Sequence, residues 1–171
     1  GMALPVLFFP STLLNSISTL LIPEMSEAAK KKKKLIVKNT TANIIKLTSI
    51  ISFIFSAIFM VSGEKIGFLI YKNNEIGFLL KCLAPIIPFM YLDSISDGIL
   101  KGLDQQKFSF KTAISDSVFR IILILLIVPK TGLKGFIGIM FFSNFYTCIL
   151  NVTRLIKITK VKINFIKEIF L

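Results

Sequence analysis

Charged positions in this chain are clustered, and long stretches between them hold none. Residues 1–23, 47–63 and 135–153 carry no Asp, Glu, Lys or Arg, and 76–103 and 110–129 are apolar stretches with a few charged groups set into them. A helix crossing a bilayer needs roughly 20 mainly apolar residues. Hydrocarbon offers the backbone no partners, and a helix satisfies its own hydrogen bonds within one segment. The pattern therefore predicts an all-α integral membrane protein of about five spans, at 2–22, 44–63, 76–103, 110–129 and 133–154.

Several boundaries have local causes. The first span closes at Pro23-Glu24. It lacks the basic start and small-residue cleavage site of a signal peptide. Pro85 and Pro88 should bend the third span, and Pro129 should end the fourth. Residues 24–43 read as a basic cytoplasmic loop, and 64–75 as a polar turn around an apolar run too short to span. Residues 155–171 read as an amphipathic tail on the membrane surface. The pair IGFLI (66–70) and IGFLL (76–80) reads as chance in a biased composition. The chain opens on Gly1, so its start reads as the interior of a longer protein.

Composition agrees with the pattern. Of 171 residues, 54% are hydrophobic and 18% charged, with mean hydropathy +0.78, whereas about a quarter of a soluble domain is charged. No His is present, which removes the commonest metal ligand and general base. Cys82 and Cys148 are too far apart for a CxxC site and read as packing residues. The net charge of +12 reflects cytoplasmic loops under the positive-inside rule, and no nucleic-acid partner is expected. Fifteen Lys and Arg fall in the 24–43 region (with Lys46), the 101–111 turn and the tail, against five (Lys65, Lys72, Lys81, Lys130, Lys134) in the intervening segments. This alternation predicts an outside N-terminus and a cytoplasmic tail.

Five groups fall at membrane depth: Asp93, Asp97, Asp116, Arg120 and Lys81. Asp93, Asp97 and Lys101 share one helix face, as do Asp116 and Arg120. At about 1.5 Å per residue, Arg120 reaches the level of Asp93 or Asp97 on an antiparallel neighbour. An ionised group at the bilayer centre costs at least about 3 kcal/mol, so these groups should face partners or water. Two readings stay open: an ion-paired clamp between the third and fourth spans, or the lining of a polar transport cavity. Ser94, Gly98 and Gly102 form a small-residue stripe suited to close helix packing. Lys30, Lys31, Lys32, Lys33 and Lys34 suit contact with anionic lipid. Asn15, among hydroxyl residues of the first span, suits helix–helix bonding or a cavity wall.

Enzyme chemistry is not expected. The sequence DSISDG (93–98) invites comparison with CDP-alcohol phosphotransferases, but the Ala-Arg after Asp-Gly and the later aspartate pair are missing. A His-assisted nucleophile is excluded, and no metal or cofactor site is predicted.

Three stretches together carry a resemblance. They are GMALPVLFFPSTLLNSISTLLIPEMSEA at the start, LAPIIPFMYLDSISDGILKGLDQQ in the middle, and DSVFRIILILLIVPKTGLKGFIGIMFFSNFYTCILNVTRLIKITKVK towards the end. The chain resembles the polysaccharide-exporter flippases of the multidrug/oligosaccharidyl-lipid/polysaccharide superfamily, in the stage V sporulation protein B-like branch. The resemblance implies one partial lobe, 1–171, corresponding to the eighth to twelfth of fourteen spans. It also implies alternating access for undecaprenyl-linked saccharides in spore cortex or cell-wall synthesis, with a missing first lobe or a partner chain. Related flippases carry cations on the helix matching the first span, which here has none. The resemblance then leaves a pyrophosphate to the missing lobe, to Lys81 or to Arg120. The alternatives are a cation-coupled drug exporter of the same superfamily and, in another class, a non-transporting membrane scaffold or inactive fragment.

Overall fold

The computed structural model describes residues 3–72 and 74–160; side chains of 3–11, 13–15, 18, 71, 74 and 75 are outside the description. Six α-helices and one 3₁₀ turn follow in order, with no strand among the described residues. They are α1 (Ala3–Lys30), α2 (Lys34–Tyr71), α3 (Asn74–Leu83), α4 (Ile87–Gly102), α5 (Gln106–Thr131) and α6 (Leu133–Thr159), with the 3₁₀ turn at Ala84–Ile86. Among the described residues, four segments are long and apolar enough to cross a membrane: Lys34–Ile70, Ile76–Gly102, Gln106–Thr131 and Leu133–Thr159.

Helix α4 is the hub, packing against α1, α2 and α6. Tyr91, Ile95, Ile99 and Leu100 on it are fully buried. By contrast, α5 rests almost entirely on α6, where Phe119 stacks with Phe142 and Tyr146 at ring-centroid distances of 6.1 and 6.3 Å. Outward faces of α2 and α5 carry exposed residues such as Phe53, Val61, Leu125 and Leu126, the apolar surface that hydrocarbon solvates.

Where the sequence reading has a loop at 24–43, the chain is helical except at 31–33. Ala, Glu and Lys are strong helix formers, so both flanking helices run on to a tight reversal with Lys32 at φ 54°. The turn expected at 64–75 is likewise the last turns of α2, which ends with Lys72 in the left-handed region. At 1.5 Å per residue, α2 is about 57 Å long. Pro129 sits inside the last turn of α5, which ends at Gly132. Residues 155–159 continue α6, and 161–171 of the expected tail lie outside the described residues.

The break between α3 and α4 follows from its prolines. Pro88 has no N–H to give to the Ala84 carbonyl. That carbonyl accepts instead from the Ile87 N–H and from Ser56 Oγ of α2, at 2.9 Å. The IGFL pair also has a structural use, because Gly67 of the first copy meets Gly77 of the second where α2 and α3 cross. A Cβ on Gly67 would stand 2.4 Å from the Gly77 Cα and N.

Those contacts are backbone, which cannot swing aside. Gly67→Ala should therefore lose about 1–3 kcal/mol, the usual cost of overpacking. Gly138→Ala, with nothing within 4 Å, should be neutral or mildly stabilising. Thermal unfolding in detergent micelles checks both; equal melting temperatures for the two variants would contradict the close approach.

Candidate functional site: a polar cavity between four helices

Helices α1, α4, α5 and α6 line a half-open cavity of about 1020 Å³. Its walls come from the polar edges of helices that are otherwise apolar. Of α5 only Ser109, Thr112 and Asp116 are buried; this spacing of three and four residues makes one stripe, and Arg120 extends it by a turn. On α6, Ser143, Thr147 and Asn151 recur every four residues and are all buried. On α4, Asp93, Ser94, Asp97, Gly98 and Lys101 line the cavity, and α1 adds Thr19 and Ile22. With hydrocarbon outside, the polar stripes turn inward and the apolar faces outward.

Arg120 does not bridge to α4. Its guanidinium donates through Nη2 to Asp116 Oδ2 at 2.8 Å, one turn back on its own helix. It also donates to Ser143 Oγ of α6, from Nη2 at 2.7 Å and from Nε at 3.2 Å. Ser143 in turn donates to Asp116 Oδ1. Asp97 pairs with Lys101 on its own helix at 2.6 Å. Asp93 accepts from Asn151 Nδ2 of α6 at 2.8 Å. The expected ion-paired clamp between the third and fourth spans is therefore absent from the described residues. The physical reason is placement: α4 and α5 meet only slightly, and α6 lies against both. The polar links from the acidic groups run α5–α6 and α4–α6.

The remaining candidates divide. Gly98 is buried at the cavity wall. Gly102 is where α1 comes closest, since a Cβ there would meet the Ile22 carbonyl oxygen at 2.9 Å and Met25 Cβ at 3.0 Å. Lys81 lies outside the cavity, paired with Glu64 of α2 at 3.0 Å with both side chains at least half exposed. Lys30 to Lys34 are all exposed at the α1–α2 reversal. Asn15 falls within α1, but its side chain is outside the described residues.

The α6 residues Ser143, Asn144, Thr147 and Asn151 escape a reading that follows charge. Their signal was the four-residue spacing of polar groups inside the uncharged stretch 135–153. Nearer the cytoplasmic end of the expected topology, Arg154 donates to Gln105 Oε1 at 2.7 Å and lies over the Phe108 ring, 5.2 Å from its centroid. No group of three or more metal-ligating side chains occurs among the described residues. Three carboxylates (Asp93, Asp97, Asp116) and three cations (Lys101, Lys107, Arg120) line the cavity, so it suits a polar group without demanding net charge.

Fold and cavity together define a multi-pass, all-α membrane protein with a half-open polar cavity between helices whose outer faces are apolar. The family model described as Lipid II flippase MurJ matches residues 3–77. Stage V sporulation protein B of Bacillus subtilis (strain 168) is 23% identical over 137 residues, 79% of this chain and 26% of that protein. The chain thus spans about a quarter of the length of the curated relative it matches. No solved structure matches it significantly. Over these stretches the chain is similar to a lipid II flippase family and to a sporulation protein.

Removing one partner of the α5–α6 network leaves the other uncompensated. Asp116→Asn should cost about 2–3 kcal/mol, and Asp116→Asn with Arg120→Gln should recover much of that loss. Arg120→Asp should not be rescued by Asp93→Arg or Asp97→Arg. Melting temperatures in detergent decide this, and a rescue by either α4 substitution would sink the pairing described here.

Proposed function

We propose that this chain forms part of a flippase for lipid-linked saccharides. The cavity between α1, α4, α5 and α6 takes the polar headgroup while the polyprenyl tail stays in the bilayer. Rocking of this lobe against a second one then exposes the headgroup to the other side. The remaining spans come from the same polypeptide or from a partner chain. The observation that carries the reading is a polar chamber of about 1020 Å³ in a bundle whose outer surface is apolar. The matches to a lipid II flippase family and to a sporulation protein support it, and they make a peptidoglycan precursor, in spore cortex or cell wall, the favoured cargo. The work is transport, not catalysis.

In this reading α1 is a fifth span, with an outside N-terminus and a cytoplasmic C-terminus. Lys30 to Lys34 meet anionic lipid on the cytoplasmic side, and the Ser94–Gly98–Gly102 stripe seats α1 on α4. A second reading, cation-coupled drug export, has one observation in its favour: Asp93 carries no cation partner among the described residues.

Two measurements test the proposal in a Cys82→Ser, Cys148→Ser background. Ser117 is exposed and lines the cavity; Ser117→Cys should react with a water-soluble maleimide in detergent. A polyprenyl pyrophosphate disaccharide should slow that reaction several-fold and a polyprenyl alcohol should not; undiminished labelling at saturating lipid would count against a headgroup cavity. For orientation, Lys32→Cys should label only from the cytoplasm and Lys130→Cys only from outside; the reverse would overturn the topology.

A further inference from the structure

Unequal charge pairing across the cavity suggests a division of labour within it. Arg120 is held by Asp116 and Ser143, and Lys101 by Asp97. Asp93 is the cavity carboxylate left with no cation beside it among the described residues. Its side-chain donors are uncharged, the Asn151 amide at 2.8 Å and the Thr147 hydroxyl. An anionic group entering this corner would meet an unneutralised negative charge in a low-dielectric wall, where repulsion is strong. A pyrophosphate is therefore disfavoured in this corner.

Unfilled hydrogen-bonding positions define what the corner can accept. Asn151 is 4% exposed, and its amide is turned so that Nδ2 meets Asp93; its Oδ1 has no partner. Ser109 on α5, closer to the end of the cavity formed by the α4–α5 turn, is 5% exposed and its Oγ is also unpartnered. Buried polar atoms without partners are costly and rare in native proteins. Two on the walls of one cavity mark places where a ligand's polar groups complete the bonding. The acceptors to be filled are a carboxylate with spare lone pairs, an amide oxygen and a hydroxyl oxygen. Neighbouring sugar hydroxyls supply donors to all three and can also accept from the amide and hydroxyl hydrogens. Phe110, also in the lining, offers an apolar face for the C–H side of a pyranose ring.

We propose that the Asp93–Asn151 corner is the subsite for the saccharide hydroxyls of the cargo, so that this part of the cavity selects for the sugar and not for the pyrophosphate or the lipid. This deepens the flippase reading above and rests on it.

The test compares two probes that differ only in the sugar: a polyprenyl pyrophosphate disaccharide and the same polyprenyl pyrophosphate without it. Binding of each is measured to the full 171-residue chain in detergent micelles, with Asp93→Asn and Asn151→Ala as variants. Asp93→Asn keeps the side-chain shape, and both variants are checked for unchanged unfolding cooperativity. The wild-type chain should bind the saccharide-bearing lipid about tenfold more tightly, since a site built to bond hydroxyls discriminates against a ligand lacking them. Each variant should bring the ratio to within about twofold, the loss expected when roughly 1–1.5 kcal/mol of hydrogen bonding is removed.

Equal wild-type affinities, or a preference kept by both variants, would overturn the subsite and leave the headgroup cavity standing. Binding of neither lipid would overturn both. A melting temperature raised by sodium chloride over choline chloride in the wild type alone, with the sugar preference intact in Asp93→Asn, would also overturn it by assigning the corner to a cation.

Discussion

An ionised side chain cannot face hydrocarbon, and the arrangement of α5 follows from that constraint. The helix carries Asp116 and Arg120 in the middle of a long apolar stretch, and little else on it is buried. Its rotation about its own axis is fixed by turning those two groups inward. Once turned, they need partners, and Ser143 of α6 supplies both a donor and an acceptor. The polar edge of α6 is thereby drawn along α5, and its next turns bring Asn151 to Asp93 of α4. The chamber is the space left where these edges face each other without close packing.

Tight contact elsewhere makes that looseness affordable. Gly67 against Gly77 and Gly102 against α1 let backbones approach as closely as side chains elsewhere would forbid, and dispersion between close backbones drives association of helices in lipid. Helix α4 sits at the meeting point, with its upper end freed from regular helix by Pro85 and Pro88 and tied to α2 through Ser56. One side of α4 is core and the other is cavity wall, so the same helix joins the rigid part of the bundle to the polar part.

Much of this is legible in the sequence. The apolar stretches, the break at the two prolines and the shared face of Asp116 and Arg120 follow from spacing alone. The partner of Arg120 does not. Periodicity places a residue on a face of its own helix but is silent on which neighbour that face meets; chain adjacency suggests α4 for α5, and the structure has α6. Asn151 and Ser143 were hard to single out because uncharged polar residues are common in membrane helices and carry no cost until buried. Charge alone does not mark the end of α2, which continues through Gly63-Glu64. In the structure Glu64 pairs with Lys81 on the outer side of the α2–α3 crossing, and the helix continues beneath it.

The equal numbers of carboxylates and cations lining the chamber have an effect at a distance. Opposite charges held a few ångströms apart, as in Asp97–Lys101 and Asp116–Arg120, largely cancel beyond that separation, so these pairs add little to the potential in the surrounding water. Charged pockets draw their ligands in by long-range steering and lose speed as salt rises. Paired charges have little such reach. On the flippase proposal none is needed, because a cargo that diffuses in two dimensions within the same bilayer is already concentrated beside the cavity.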